Sequence, residues 1–183
     1  MTFTDLPCLA QIFDALRKGQ HLCHRQGRLF QELRKRADEY KALFAELGFE
    51  LVHHPRDFFY FHDTENFTPL AQKMALFVFI LVEDLADKGQ PVERALFGGP
   101  IRFADLPHFQ AERYQQLMRE VDVPTPADLV KLVKSMERYG FTSCREREDE
   151  FRFEIPSYRF LDLCVQFVEQ AGPRQEDDRV GES

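Results

Sequence analysis

Tryptophan is absent from the sequence, so phenylalanine, with 19 of the 183 residues, supplies most of the aromatic side chains. The longest apolar run, residues 74–82, is too short for a membrane span, which needs about 20 residues. The first eight residues lack the basic start and apolar stretch of an export signal. Four cysteines occur without the short spacing of a metal-binding or redox pair, at Cys8, Cys23, Cys144 and Cys164. We therefore expect a cytoplasmic protein with reduced thiols, no membrane contact and a core packed mainly by phenylalanine.

The sequence also lacks the motifs that mark common catalytic centres. It has no Walker loop, no dinucleotide-binding glycine pattern and no nucleophile elbow. His21, Cys23 and His24 resemble half of a zinc site, but no second short-spaced pair accompanies them, so we interpret this segment as a polar turn. The acidic pairs fall in a turn and near the C-terminus, without the rigid, buried setting of acid–base catalysis. We expect no catalytic residue, no metal and no cofactor, and hence a protein that is not an enzyme.

Positive charge is scarce overall, because 24 lysines and arginines stand against 31 aspartates and glutamates, for a net charge of −7. This balance argues against a simple nucleic-acid coat protein, yet the cations are concentrated in two clusters. The candidate DNA-binding residues are Arg17, Lys18, Arg25, Arg28, Arg34 and Lys35 in the first cluster and Lys131, Lys134 and Arg138 in the second. A basic stripe is often only the solvated face of a helix, so contact with DNA phosphates and simple solvation both remain open.

Glycines divide a helical pattern, because five of them directly follow amphipathic stretches, as left-handed helix caps do. The spacing of apolar residues predicts helices over 6–18, 28–47, 69–88, 126–139 and 157–171, with a further one over 106–118. Thr68 and Thr125, each followed by proline, are typical N-caps. The helix over 69–88 is apolar all round in its middle, which predicts the most buried helix.

Two aromatic-rich segments, 49–61 and 141–155, predict β-hairpins. Each follows a helix that ends in Gly-Phe, so the order helix, glycine, strand, turn and aromatic strand occurs twice. This repeat is typical of a winged helix, although an unrelated α+β fold with two hairpins would give the same pattern. We predict a mainly α fold with small β-hairpin wings, arranged as a tandem winged helix. The units cover 1–66 and 67–171, the second with extra helices, and a disordered tail covers 172–183.

Several stretches of the sequence resemble one known family. Residues 15–21, ALRKGQH, and residues 49–60, FELVHHPRDFFY, resemble the opening motif and the following strands of the MukE/MksE family, the kite subunits of bacterial condensins. Residues 132–141 and 151–153 resemble its second winged helix. The resemblance spans most of the chain and rests on the order and spacing of these stretches. The sequence is more similar to MksE, and to the kite subunit of Wadjet plasmid-defence systems, than to MukE.

The resemblance implies a kite-like tandem winged helix that forms a homodimer. It implies a kleisin partner (MukF/MksF-like), which links the dimer to an SMC ATPase (MukB/MksB-like), and a role in chromosome organisation and segregation or in plasmid defence. Within this frame we expect weak, non-specific contact with double-stranded DNA. We also expect Phe58, Phe59 and Phe61 of the first hairpin to bind the partner, because side chains of a strand alternate between its faces.

The alternative function is that of a stand-alone winged-helix transcription regulator. Such a protein needs side chains that read base edges, and adenine is read best by Asn or Gln. The predicted helix over 126–139 carries basic residues but neither Asn nor Gln. Kleisin and SMC genes beside this gene would favour the condensin subunit, and an isolated operon would favour the regulator.

Overall fold

A computed structural model describes residues 6–62, 68–144 and 149–171, with the side chains given up to residue 166. Within these ranges the chain forms eight α-helices and five short strands, and the strand pairs are antiparallel. The helices are α1 (Leu9–Arg17), α2 (Arg28–Lys35), α3 (Ala37–Glu46), α4 (Pro69–Asp87), α5 (Val92–Phe97), α6 (Glu112–Glu120), α7 (Pro126–Arg138) and α8 (Tyr158–Ala171). The strands are β1 (Leu51–His54), β2 (Phe58–Phe61), β3 (Ile101–Arg102), β4 (Thr142–Cys144) and β5 (Glu150–Phe153). The predicted mainly α fold with small hairpins is confirmed.

The first unit consists of α1, α2, α3 and the hairpin β1–β2. Between α1 and α2, Leu22 forms an isolated antiparallel bridge with Phe59 of β2, through two backbone hydrogen bonds of 2.9 and 2.8 Å. The bridge is the short first strand of a winged helix. The resulting order across the sheet is the bridge, then β2, then β1, with Leu51 opposite Phe61.

The second unit repeats this arrangement with a complete first strand. β3 follows α4 and α5 and pairs with β5, which also pairs with β4, so the order across the sheet is β3–β5–β4. The helices α6 and α7 lie between β3 and β4 in the chain. Both units therefore have the helix, strand, two helices and hairpin of a winged helix.

The hydrophobic core is divided into two clusters, one in each unit. The first cluster contains Ile12, Leu33 and Phe44, each 0% exposed. The second contains Phe77 and Val133, also 0% exposed. The clusters fall on either side of the expected boundary near residue 66, while the unit boundaries themselves stay a prediction. The expected tail over 172–183 lies outside the described residues.

The helix predicted over 28–47 is wrong, because α2 and α3 are separate helices. Arg36 leaves the helical conformation, with φ −126° and ψ 33°, and divides them. A straight helix of that length would extend about 30 Å. The break lets Phe30 of α2 and Tyr40 of α3 enter the same core.

Other differences concern short elements, which carry too few residues for a periodic pattern. Neither α5 nor β3 is predicted from the sequence, and α6 begins at Glu112 because Pro107–Phe109 form a 3₁₀ turn. Both predicted N-caps are confirmed: the hydroxyl oxygen of Thr68 accepts from the Ala71 amide, and that of Thr125 accepts from the Asp128 amide. The middle of α4 buries five side chains (Met74, Phe77, Val78, Ile80 and Leu81) but leaves Phe79 37% exposed.

Candidate functional site

The two units meet at a junction that begins with a backbone contact. The amide of His21, after α1, donates to the carbonyl oxygen of Tyr139, at the end of α7 (3.0 Å). The next residue, Gly140, has φ +86°, and a Cβ atom there would lie 2.8 Å from the carbonyl oxygen of His21. This position therefore requires glycine both for its left-handed conformation and for the close approach of the two units.

The side chain of His21 fills the centre of the junction and is 5% exposed. Its ring packs against Phe141 of the second unit, with ring centroids 4.5 Å apart. Arg159 of α8 donates from Nη1 to Nε2 of His21 (2.9 Å), so Nδ1 carries the proton and donates to the carbonyl of Gly19 (3.2 Å). Burial, together with the positive charge of Arg159, lowers the pKa of His21 to about 3. The imidazole is thus neutral near neutral pH and serves as an acceptor.

Ion pairs surround this centre, and they have a common polarity. The first unit supplies the basic side chain and the second unit supplies the carboxylate. The ion pairs are Arg25 with Glu154 (3.0 Å) and Arg56 with Glu93 (3.2 Å), and Nε2 of His54 is hydrogen-bonded to Oδ2 of Asp162 (2.8 Å). The junction is therefore charge-complementary as well as sterically close, which favours a fixed arrangement of the two units.

A cleft of about 700 Å³ opens beside the junction. Its walls come from the end of α1, from β2, from the start of α4, from the residues after α7 and from α8. Of the described residues that line it, three are cations (Arg17, Lys18 and Arg159) and none is Asp or Glu. Much of the remaining wall is apolar and includes Met74 and Leu163. The cleft combines positive charge with apolar surface in a protein whose net charge is −7.

All nine predicted DNA-binding side chains are exposed. Six of them lie within 4 Å of a carboxylate: Arg17 and Lys18 of Asp14, Arg25 of Glu154, Arg34 of Asp57, Lys35 of Glu32, and Lys131 of Asp128. Within the described ranges, Arg28, Lys134 and Arg138 make no ion pair. Of the nine predicted residues, these three, on α2 and α7, are the ones for which no described carboxylate competes with a phosphate.

The predicted partner-binding aromatics of β2 are not equally accessible. Phe58 and Phe59 are both 0% exposed, and the ring of Phe58 stacks on His54 at 4.2 Å. Phe61 is partly exposed and lines the cleft. Partner binding by this hairpin stays a prediction, and Phe61 is the ring that the isolated chain presents.

Residues 21–23 of the segment that contains His21, Cys23 and His24 are part of the folded core rather than a polar turn, so that interpretation is wrong. Leu22 and Cys23 are both 0% exposed, and this segment provides the first strand of the winged helix. Over the described ranges, no group of three or more His, Cys, Asp or Glu side chains is arranged to hold a metal ion. In the same part of the chain, no helix has the length and hydrophobicity needed to cross a membrane.

Comparison with known protein families decides the assignment. Residues 7–165 match the profile of a family described as condensin complex protein MksE, so the match covers most of the chain. The chain belongs to the MksE family. A search of curated proteins returned no match. Membership in the MksE family confirms the predicted MukE/MksE relationship and makes this chain a condensin complex protein.

Sequence reasoning missed the second-unit side of the junction. Arg159 lies 138 residues from His21, and Asp162 lies 108 residues from His54. Local spacing cannot connect residues so far apart in the chain. The only local signal of the junction that we identify is Gly140 followed by Phe141, and this pair is equally typical of an ordinary helix end.

Proposed function

We propose that this MksE-family protein is the non-catalytic kite subunit of an SMC–kleisin condensin. In this role it acts as a homodimer at the nucleoid, binds the kleisin, and through it joins an SMC ATPase. The complex holds DNA for chromosome organisation and segregation or for plasmid defence. The family match over residues 7–165 carries the proposal, and the tandem winged helix supports it.

The junction supports a scaffold function. A subunit that holds a kleisin and DNA together works best when its binding surfaces keep a fixed relation to each other. Here the first and second units share a partly buried hydrogen bond from Arg159 to His21, a hydrogen bond between His54 and Asp162, and two ion pairs. These contacts suit a rigid adaptor rather than two winged-helix units that bind DNA independently.

Weak, non-specific DNA contact is the second part of the proposal. In a winged helix, the helix that precedes the hairpin is the one that enters a major groove. In the first unit that helix is α3, which carries Asp38, Glu39 and Glu46 against a single cation, Lys41. In the second unit it is α7, whose Lys134 and Arg138 are exposed. We therefore assign DNA contact to α7, with support from Arg28 of α2, and not to α3.

Homodimerisation is the third part, and we place the contact mainly on the first unit. Closed two-fold dimers are the commonest oligomers of soluble proteins. Leu47, at the end of α3, is 56% exposed and is an apolar side chain available to such a contact. Replacing Leu47 with Asp should weaken the dimer without disturbing the core, because the side chain is already largely in water.

Co-expression with a condensin kleisin from the same organism tests the proposal. We expect one complex that survives gel filtration, and a dimer of this chain when it is purified alone. Light scattering during elution measures both masses. Separate elution of the two proteins would contradict the proposal that this chain binds the kleisin. A strict monomer at about 50 μM, well above the dissociation constant of a low-micromolar dimer, would remove the dimer.

A further inference from the structure

The described lining of the cleft beside the junction carries cations and no carboxylate. Arg17 and Lys18 stand at its rim, with side chains 57% and 60% exposed, and Arg159 lies in its wall. One carboxylate, Asp14, approaches both rim cations (3.7 and 2.6 Å) from outside the lining. Since two cations share one acid at the rim, the described residues of the cleft keep a positive excess.

The walls between these cations are apolar, and this limits what the cleft accepts. Met74, Phe160 and Leu163 are among the lining residues. A nucleic-acid backbone would match the cations but would place polar sugar and phosphate groups against hydrocarbon. A purely apolar segment would leave the cations without compensation. A peptide with carboxylates next to large apolar side chains would complement both the cations and the apolar walls of the cleft.

The volume of the cleft and the fixed position of its walls also suit a peptide. Its volume of about 700 Å³ lies within the range of sites that enclose most of a drug-sized ligand, about 300–1,000 Å³. Both units contribute walls, and their relation is set by the contacts of His21 with Tyr139 and Arg159. A site whose walls are held in place loses less conformational entropy on binding.

We infer that the cleft receives an acidic segment of the kleisin that carries at least one large apolar anchor. The inference rests on the proposed function, because the kleisin is the partner proposed there. The anchor enters between α4 and α8, and its flanking carboxylates meet Arg17 and Lys18. The kleisin then bridges both winged-helix units of one chain.

A matched pair of charge reversals tests the electrostatic part with full-length protein and purified kleisin. The test variant is Arg17→Glu with Lys18→Glu, at the rim of the cleft. The control is Arg102→Glu with Arg119→Glu, two exposed cations outside the cleft, which changes the net charge by the same amount. Isothermal titration calorimetry should show kleisin binding weakened about tenfold or more by the rim variant. The control should stay within about twofold of the natural sequence, and the thermal unfolding of each variant checks its folding.

A second pair tests the apolar part on one helix. Leu163→Ala removes a side chain that lines the cleft, whereas Leu161→Ala removes a similarly half-buried side chain of α8 outside it. We expect Leu163→Ala to weaken kleisin binding at least threefold more than Leu161→Ala, because deeply seated apolar anchors carry most of the binding energy.

The outcomes separate this inference from the proposed function. If the natural chain does not bind the kleisin, both fail. If it binds, and the rim variant binds equally well, the cleft assignment is overturned while the kite function stands. Loss of DNA binding or of the dimer in the rim variant, with kleisin binding intact, would show that another occupant uses the cleft and would also overturn the inference.

Discussion

The junction predicts unequal costs for the same substitution at two equivalent glycines. Gly48 and Gly140 each follow the helix that precedes the hairpin of their unit, with φ +82° and +86°. Each is followed by a phenylalanine whose amide bonds back to the preceding helix. The two sites differ in what surrounds them. A Cβ atom at Gly48 has no heavy atom within 4 Å, whereas one at Gly140 lies 2.8 Å from the carbonyl oxygen of His21.

The structure sets the magnitude of each effect. Alanine in the left-handed region costs about 1–2 kcal/mol at either site. At Gly140 the two units must also move apart, since the obstructing atom belongs to the backbone, and overpacking of this kind adds about 1–3 kcal/mol. We therefore expect Gly140→Ala to lower the free energy of unfolding by about 1–3 kcal/mol more than Gly48→Ala does.

Urea unfolding of the natural chain and both variants, followed by circular dichroism, measures this difference. For a protein of this size, 1 kcal/mol corresponds to about 2–4 °C in Tm, so thermal unfolding gives an independent value. Equal losses at the two glycines would refute the close approach of the units. A larger loss at Gly48 would refute the junction as described.

Three further predictions concern pH, DNA and catalysis. Burial lowers the pKa of His21 to about 3 and that of His108 to about 4. The unfolded chain therefore binds protons below pH 6.5 that the folded chain does not, and stability should fall by about 2 kcal/mol per histidine between pH 7 and pH 5. Urea titrations should show this fall, and His108→Gln should reduce it by about half; an unchanged profile would contradict the assignment. Fluorescence anisotropy with two unrelated duplexes should give a log–log salt slope of about −2 to −3, from contacts by Arg28, Lys134 and Arg138. Charge reversal of all three should abolish binding, and a strong preference for one duplex would favour a transcription regulator. The purified chain should neither hydrolyse ATP nor cut DNA; a turnover that persists through further purification and is lost on a single substitution would contradict this.

The tandem winged helix is largely predictable from the sequence because its signals are local. Thr68 and Thr125 mark the starts of α4 and α7, and a Gly-Phe pair marks each helix end before a hairpin. The break at Arg36 is not predictable in this way, since the apolar period continues through it from Phe30 to Phe44. The core requires the chain to fold back there, and that requirement is tertiary.

The candidate site is much less predictable than the fold. Its rim cations, Arg17 and Lys18, stand out in the sequence as part of a basic cluster. Its other wall comes from α8, and nothing local connects Arg159 with His21. The inward orientation of Phe58 and Phe59 is also non-local: Phe59 belongs to the core of its own unit, while Phe58 stacks on His54, which pairs with Asp162 of the second unit. Contacts between distant segments decide both the cleft and the accessible face of the hairpin.

Native mass spectrometry of this chain co-expressed with a kleisin and an SMC ATPase from the same organism tests the central claim most directly. The account predicts an assembly in which a dimer of this chain is bound to the kleisin, and which also contains the ATPase. It further predicts that disrupting the kleisin contact releases this chain from the ATPase. An assembly of kleisin and ATPase that forms without this chain, while this chain is detected only by itself, would contradict the account.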